Sequence, residues 1–181
     1  MQRINVIGAS GSGKTTLARE IATRLGHPYV ELDALHHLPD WQERPTEEFR
    51  SEVAAVAAQS RWVIDGNYTK VRDIVWSRAE TVIFLDLPRW KTMAQLVPRT
   101  LRRVATRQEL WNGNRERWAN LVATVPEENI LLWSWTTHQK QRDRFAAAID
   151  ETQWAHIVFQ RLESRRDIRR LLESVTPTQT R

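Results

Sequence analysis

Apolar residues fall into short, β-branched runs separated by longer stretches with helical spacing. The runs at 3–7, 29–32, 62–64, 81–87 and 157–162 predict strands. After the first of them, Leu17, Ile21 and Leu25 recur at i, i+4 and i+8, with Arg24 in the last turn and Gly26 as the stop. Thr46, followed by Glu47 and Glu48, predicts the N-cap of a second helix with Phe49, Val53 and Val56 on one face. Val71, Ile74 and Val75 predict a short third helix. Pro88 opens a long helical stretch toward Arg107, which Pro98 is expected to kink or break. Trp111-Asn112-Gly113-Asn114 reads as a turn, and a further helix is expected from about Glu127 to Ile149. Ser164 with Asp167 resembles a capping box before a last helix carrying Ile168, Leu171, Leu172 and Val175. The polar tail 176–181 is expected to fray.

Five strands alternating with helices predict an α/β fold, a parallel sheet covered on both faces and joined by right-handed crossovers. At 181 residues, with no internal repeat and no long linker, residues 1–181 read as one domain. Ligands of such sheets bind at the carboxyl ends of the strands. That rule selects the residues just after each run: 8–13, Asp33, 65–67 and the region after Leu162.

The first of these positions carries a complete motif, Gly8-Ala9-Ser10-Gly11-Ser12-Gly13-Lys14-Thr15, followed by Thr16. It matches G-x-x-x-x-G-K-[ST] between a strand and a helix, the P-loop context in which backbone amides cradle phosphates. Lys14 is placed to reach the β- and γ-phosphates of ATP, and Thr15 supplies a hydroxyl for Mg²⁺. Asp65, at the end of the apolar run Trp62-Val63-Ile64, is the expected acid for that Mg²⁺, opposite Thr15. Asp33, after Tyr29-Val30-Glu31-Leu32, faces the acceptor side and is the candidate to orient or deprotonate an acceptor hydroxyl.

The chain has no cysteine, which excludes disulfides and thiolate-ligated zinc. The strand signal begins right after Met1-Gln2-Arg3 and no apolar run is long enough to span a bilayer, so a cytoplasmic protein is expected. The net charge of +5 draws much of its excess from Arg89, Lys91, Arg99, Arg102, Arg103, Arg107, Arg115 and Arg117. A basic segment at 99–118 around a Gly-containing turn is a lid candidate, able to close over phosphates and exclude water. Arg103, Arg107 and Arg115 are the candidates for its catalytic arginine, since the planar guanidinium grips phosphate oxygens in pairs. His36 and His37 lack a third spaced ligand and are assigned to a loop or helix surface. Of nine tryptophans, Trp62, Trp133 and Trp135 are expected in or beside the core.

The chain resembles small kinases related to adenylate kinase, and specifically the bacterial group labelled DNA topology modulation proteins. The resemblance rests on residues 8–16, on Glu31-Leu32-Asp33-Ala34-Leu35-His36, on Trp62-Val63-Ile64-Asp65-Gly66-Asn67-Tyr68 and on Glu109-Leu110-Trp111-Asn112-Gly113-Asn114-Arg115-Glu116. It implies a nucleoside-monophosphate-kinase-like P-loop NTPase fold with an acceptor region after the second strand and an Arg-rich lid at 102–115. One departure is plain: Asn67-Tyr68-Thr69 stands where adenylate kinase has Phe-Pro-Arg, so the arginine that would bind AMP is missing. The leading expectation is transfer of the γ-phosphoryl group of ATP to a small hydroxyl- or phosphate-bearing acceptor. Two other classes share the loop: a hydrolytic ATPase, and a nucleotide-dependent nucleic-acid-binding or regulatory protein, supported by the Trp/Arg interleaving at 111–118. Against the latter, no helix-turn-helix or RNP-like motif is present.

Overall fold

The apolar runs pair into a single parallel sheet of five strands, ordered β2-β3-β1-β4-β5. The strands are β1 (Arg3–Gly8), β2 (Tyr29–Glu31), β3 (Trp62–Asp65), β4 (Thr81–Leu85) and β5 (Val158–Leu162). The helices are α1 (Lys14–Leu25), α2 (Leu32–His36), α3 (Thr46–Ala57), α4 (Arg72–Trp76), α5 (Arg89–Ala105), α6 (Ile130–Ile149) and α7 (Arg165–Ser174). This computed structural model describes residues 1–118, 121 and 129–175. The expectations for residues 127–128 and for the tail 176–181 lie outside the described residues.

Strand alternation splits the core into two layers. Ile4 and Val6 of β1, with Val63, Ile83 and Leu85, meet Leu17, Ala18 and Ile21 of α1 and Leu171 of α7. Ile7, Ile64, Val82 and Phe84 face the other way, toward Phe49 and Val53 of α3, Val75 and Trp76 of α4, and Phe145 of α6. Both layers are needed because a parallel sheet leaves neither face to water. Trp62 lies fully inside, as its run predicted, whereas Trp135 is half exposed on α6.

Several boundaries differ from the sequence reading, each for a local reason. Pro45, with its fixed φ, holds the N-cap position of α3, so Thr46 is its first helical residue. Helix α5 runs through Pro98, which is exposed and can leave its unpaired carbonyl partner to water. Strand β2 ends at Glu31, and Asp33 lies on the short α2 rather than in a loop. His36 is buried against Phe49 and Tyr68, not on a surface, because α2 turns its inner face to α3. The capping box at α7 forms: the Ser164 hydroxyl accepts from the Asp167 amide, and Asp167 accepts from the Glu163 amide.

One polar residue stands inside the sheet. Asn5 is buried in the middle of β1; its amide donates to the carbonyls of Ile64 and Gly66, and it accepts from the Trp76 indole at 2.9 Å. It therefore fixes the carboxyl end of β3, where the site begins. Replacing Asn5 by Ala leaves the buried indole donor and two carbonyls short of a partner. Urea unfolding of N5A is expected to show a loss of about 2–3 kcal/mol, and a loss below the size of a single exposed contact would refute this role.

Candidate active site

The P-loop connects β1 to α1. Its Gly13 is the N-cap of α1 with φ 91°, a conformation that glycine adopts without strain. No acidic residue occupies the first turn of α1, so the positive end of the helix dipole is left for an anion. Gly11 is required by a close approach: a Cβ there would stand 2.5 Å from the Thr92 carbonyl and 2.8 Å from Leu96 Cβ. Helix α5 is thus packed directly onto the phosphate loop. Within the loop Ser12 is buried and Ala9 and Ser10 are half-buried, while Thr16 points to solvent.

Residues far apart in sequence converge at the start of α1. The parallel register pairs Val6 with Asp65, and the Gly66 amide donates to the Val6 carbonyl. This brings the Asp65 carboxylate to the Thr15 hydroxyl, which donates to Oδ2 at 2.6 Å; the Tyr29 hydroxyl donates to the same oxygen at 3.3 Å. The other carboxylate oxygen, Oδ1, is buried with no hydrogen-bond partner among the described residues. Burial pushes the Asp65 pKa from 3.8 up to about 6, against the pull of Lys14 and the Thr15 hydrogen bond. Two adjacent hard oxygen donors, one lacking a partner, fit Mg²⁺, which takes few protein ligands and fills its shell with phosphate and water. No cluster of three or more His, Cys, Asp or Glu that could cage a metal occurs among the described residues.

Asp33 is the second carboxylate of the cleft. The Tyr68 hydroxyl donates to its Oδ1 at 2.6 Å, and burial together with the Asp33 charge holds the Tyr68 proton on, raising its pKa. Arg99, on α5, is exposed; desolvation and then the neighbouring Arg103 pull its pKa down, while Glu116, Asp33 and Glu31 pull it up. Arg103, one turn further along α5, is paired with Glu116 at 3.1 Å.

The other two lid candidates stand apart. Arg107 has φ 48° and closes the C-terminus of α5: its amide donates to the Val104 carbonyl, and the Gln108 amide to that of Arg103. Arg115 is exposed, 3.5 Å from Glu109. Both line a separate groove of about 620 Å³ beside Trp41 and Trp118. The sequence reading passed over Arg99, although the buried stripe Thr92, Leu96, Thr100 and Val104 carried the signal. Positions 95, 99 and 103 flank that stripe on one side.

The lid turn is docked on the acceptor side. Asn114 donates to the Leu38 carbonyl and accepts from the Trp41 amide, both at 2.8 Å. Asn112 donates to the carbonyls of Ala34 and His37, and Trp111 stacks on the His37 ring.

A five-stranded parallel sheet whose P-loop meets a buried carboxylate, with a second carboxylate just after β2, is the framework of a P-loop kinase of small molecules. The comparisons agree. A shikimate kinase of Synechococcus elongatus is 30% identical over 144 residues, which span 63% of this chain and 71% of the relative. The chain belongs to the shikimate kinase family of P-loop kinases. A family model described as ATPase family associated with various cellular activities (AAA) matches residues 4–86. The fold is that of the shikimate kinase of Acinetobacter baumannii in complex with shikimate, with a TM-score of 0.58, 14% identity and 97% and 90% of the two chains covered. A gluconokinase of Sinorhizobium meliloti gives a TM-score of 0.52 at 16% identity, covering 96% and 95%. No helix among the described residues is long and apolar enough to cross a membrane.

The raised pKa of Asp65 carries a stability consequence with a definite sign. A carboxyl that holds its proton more tightly when folded stabilises the fold fully below pH 3.8, and that contribution is lost as pH rises through about 6. Asp65→Asn, which cannot ionise, should therefore gain on the wild type by about 2 kcal/mol between pH 4 and pH 7 in the absence of nucleotide. Urea unfolding at the two pH values measures this, and a constant difference would rule out the burial argument.

Proposed function

We propose that this kinase transfers the γ-phosphoryl group of ATP to a hydroxyl of a small hydroxylated acid, the chemistry of the substrate that names its relatives. The observation that carries the reading is Asp33, held by Tyr68 at 2.6 Å and close enough to Arg99 and to Asp65 for its charge to act on both, with Lys14 acting on Asp65 from the phosphate loop. Asp33 receives or orients the acceptor hydroxyl, and Arg99 offers a fixed cation to the acid group or to the transferred phosphoryl. The absence of the adenylate-kinase arginine after Asn67 argues against a nucleoside monophosphate as acceptor.

On the donor side, Lys14 and the loop amides carry the charge of the phosphates. Thr15 and Asp65 are the residues that would hold Mg²⁺, which would supply positive charge against the phosphates of ATP. Arg103, paired with Glu116, stiffens the face of α5 that presents Arg99. Little covalent work falls to the protein, so positioning and electrostatics supply most of the rate. Within the family, the segments Asp65-Gly66-Asn67-Tyr68 and Trp111-Asn112-Gly113-Asn114-Arg115 support a place in the group labelled DNA topology modulation proteins. That label assigns no chemistry.

The test is a screen of hydroxy acids, sugars, nucleosides and nucleotides with labelled ATP and Mg²⁺, run on the wild type and three variants. Lys14→Ala is expected to abolish transfer. Asp33→Asn should cost at least about a hundredfold in kcat, the scale of general-base loss, and Arg99→Ala should weaken transfer to acids more than to neutral acceptors. Full activity of Lys14→Ala, or transfer confined to nucleoside monophosphates, would defeat the proposal.

A further inference from the structure

Two turns of the same backbone design pack directly against each other beside α2. In the first, residues 37–43, His37 bridges Glu43, the Leu38 amide donates to the Gln42 carbonyl, and Asp40 and Trp41 have φ 59° and 58°. In the second, residues 109–115, Glu109 bridges Arg115, the Leu110 amide donates to the Asn114 carbonyl, and Asn112 and Gly113 have φ 54° and 80°. Glycine suits such a position; tryptophan does not, and a non-glycine residue there is strained. Trp41 nevertheless occupies the position that Gly113 holds in the other turn. What it gains is contact: its indole donates to the Arg115 carbonyl at 3.2 Å and meets Trp111 edge to face.

The interlock completes helix α2, which carries Asp33. Five residues are too few for a helix that stands alone, and its last carbonyls need partners. Arg44 supplies two of them, its amide to the His36 carbonyl and its Nε to that of Leu35. The Asn112 side chain supplies the other two, reaching the carbonyls of Ala34 and His37. The C-terminal cap of the acceptor-side helix therefore comes half from its own arm and half from the lid.

We propose that Asn112, Asn114 and Trp41 are positioning residues: by interlocking the two turns they cap α2 and hold Asp33, which it carries, in place. This rests on the acceptor role given to Asp33 above. The donor site, built on the sheet and α1, does not depend on the interlock, which separates this role from a general effect on the fold.

Hydrogen exchange and ATP·Mg²⁺ titration on the full chain test it without a known acceptor. Asn112→Ala and Asn114→Ala should speed exchange of the amides of residues 34–41 by about tenfold or more, with those of residues 9–16 unchanged and ATP·Mg²⁺ affinity within about twofold of wild type. Trp41→Gly suits the strained backbone but deletes the indole, and should give the same pattern if the Asn variants fail to fold. With any acceptor found in the screen, the variants should lose about tenfold or more in kcat/KM for the acceptor, with KM for ATP unchanged. Unchanged exchange at 34–41, or a parallel loss of ATP affinity, would overturn the proposal. Faster exchange with undiminished transfer by Asp33→Asn would instead remove the acceptor role of Asp33, and with it the service of the interlock to transfer.

Discussion

A buried carboxylate beside the first turn of α1 is the constraint around which the molecule is arranged. Asp65 is the last residue of β3 and sits 1% exposed, with one oxygen held by Thr15 and the other without a partner. Such a buried carboxylate is costly when charged, which is why its pKa is raised to about 6. The sheet order serves this arrangement. With β3 next to β1, the parallel register lays Asp65 beside the start of the P-loop, and Asn5 in the same strand pins the end of β3.

A second dependence runs through Gly11. Because α5 comes close enough to forbid a side chain there, the helix bearing Arg99 and the loop receiving the phosphates are one packed unit. Thr92 and Leu96 make that contact, and Arg99 follows one turn further along the same helix. The phosphate loop and the helix bearing Arg99 are thus linked by packing, whereas the turn at 109–115 joins the segment after β2 through side-chain hydrogen bonds.

The fold class, the five strands and the donor loop were legible because they rest on local rules: β-branched runs, helical spacing and a motif between them. That Lys14, Thr15 and Asp65 would come together at one edge of the sheet was legible for the same reason, since the loop and the apolar run before Asp65 both end there. Arg99 was not, because a run of arginines on one helix differs only in helical phase, and phase shows only once the buried stripe is known. His36 was misplaced for a related reason: adjacency to His37 says nothing about which side of a short helix faces α3. Trp135 and Thr46 show the limits of composition and of cap preference when a neighbouring residue or surface decides. The pairing of two distant turns through Asn112, Asn114 and Trp41 left only one trace, a turn signal at 111–114.

The interlock joins residues more than seventy positions apart. As the chain leaves the ribosome, the sheet positions that create the donor site are assembled from β1, β3 and β4, all N-terminal to Asn112. Without the segment 109–115, the carbonyls of Ala34 and His37 lack the Asn112 side chain, and α2 keeps only the half of its cap that Arg44 supplies. The segment that carries Asp33 is therefore completed by residues that lie, in chain order, after every strand flanking the phosphate loop.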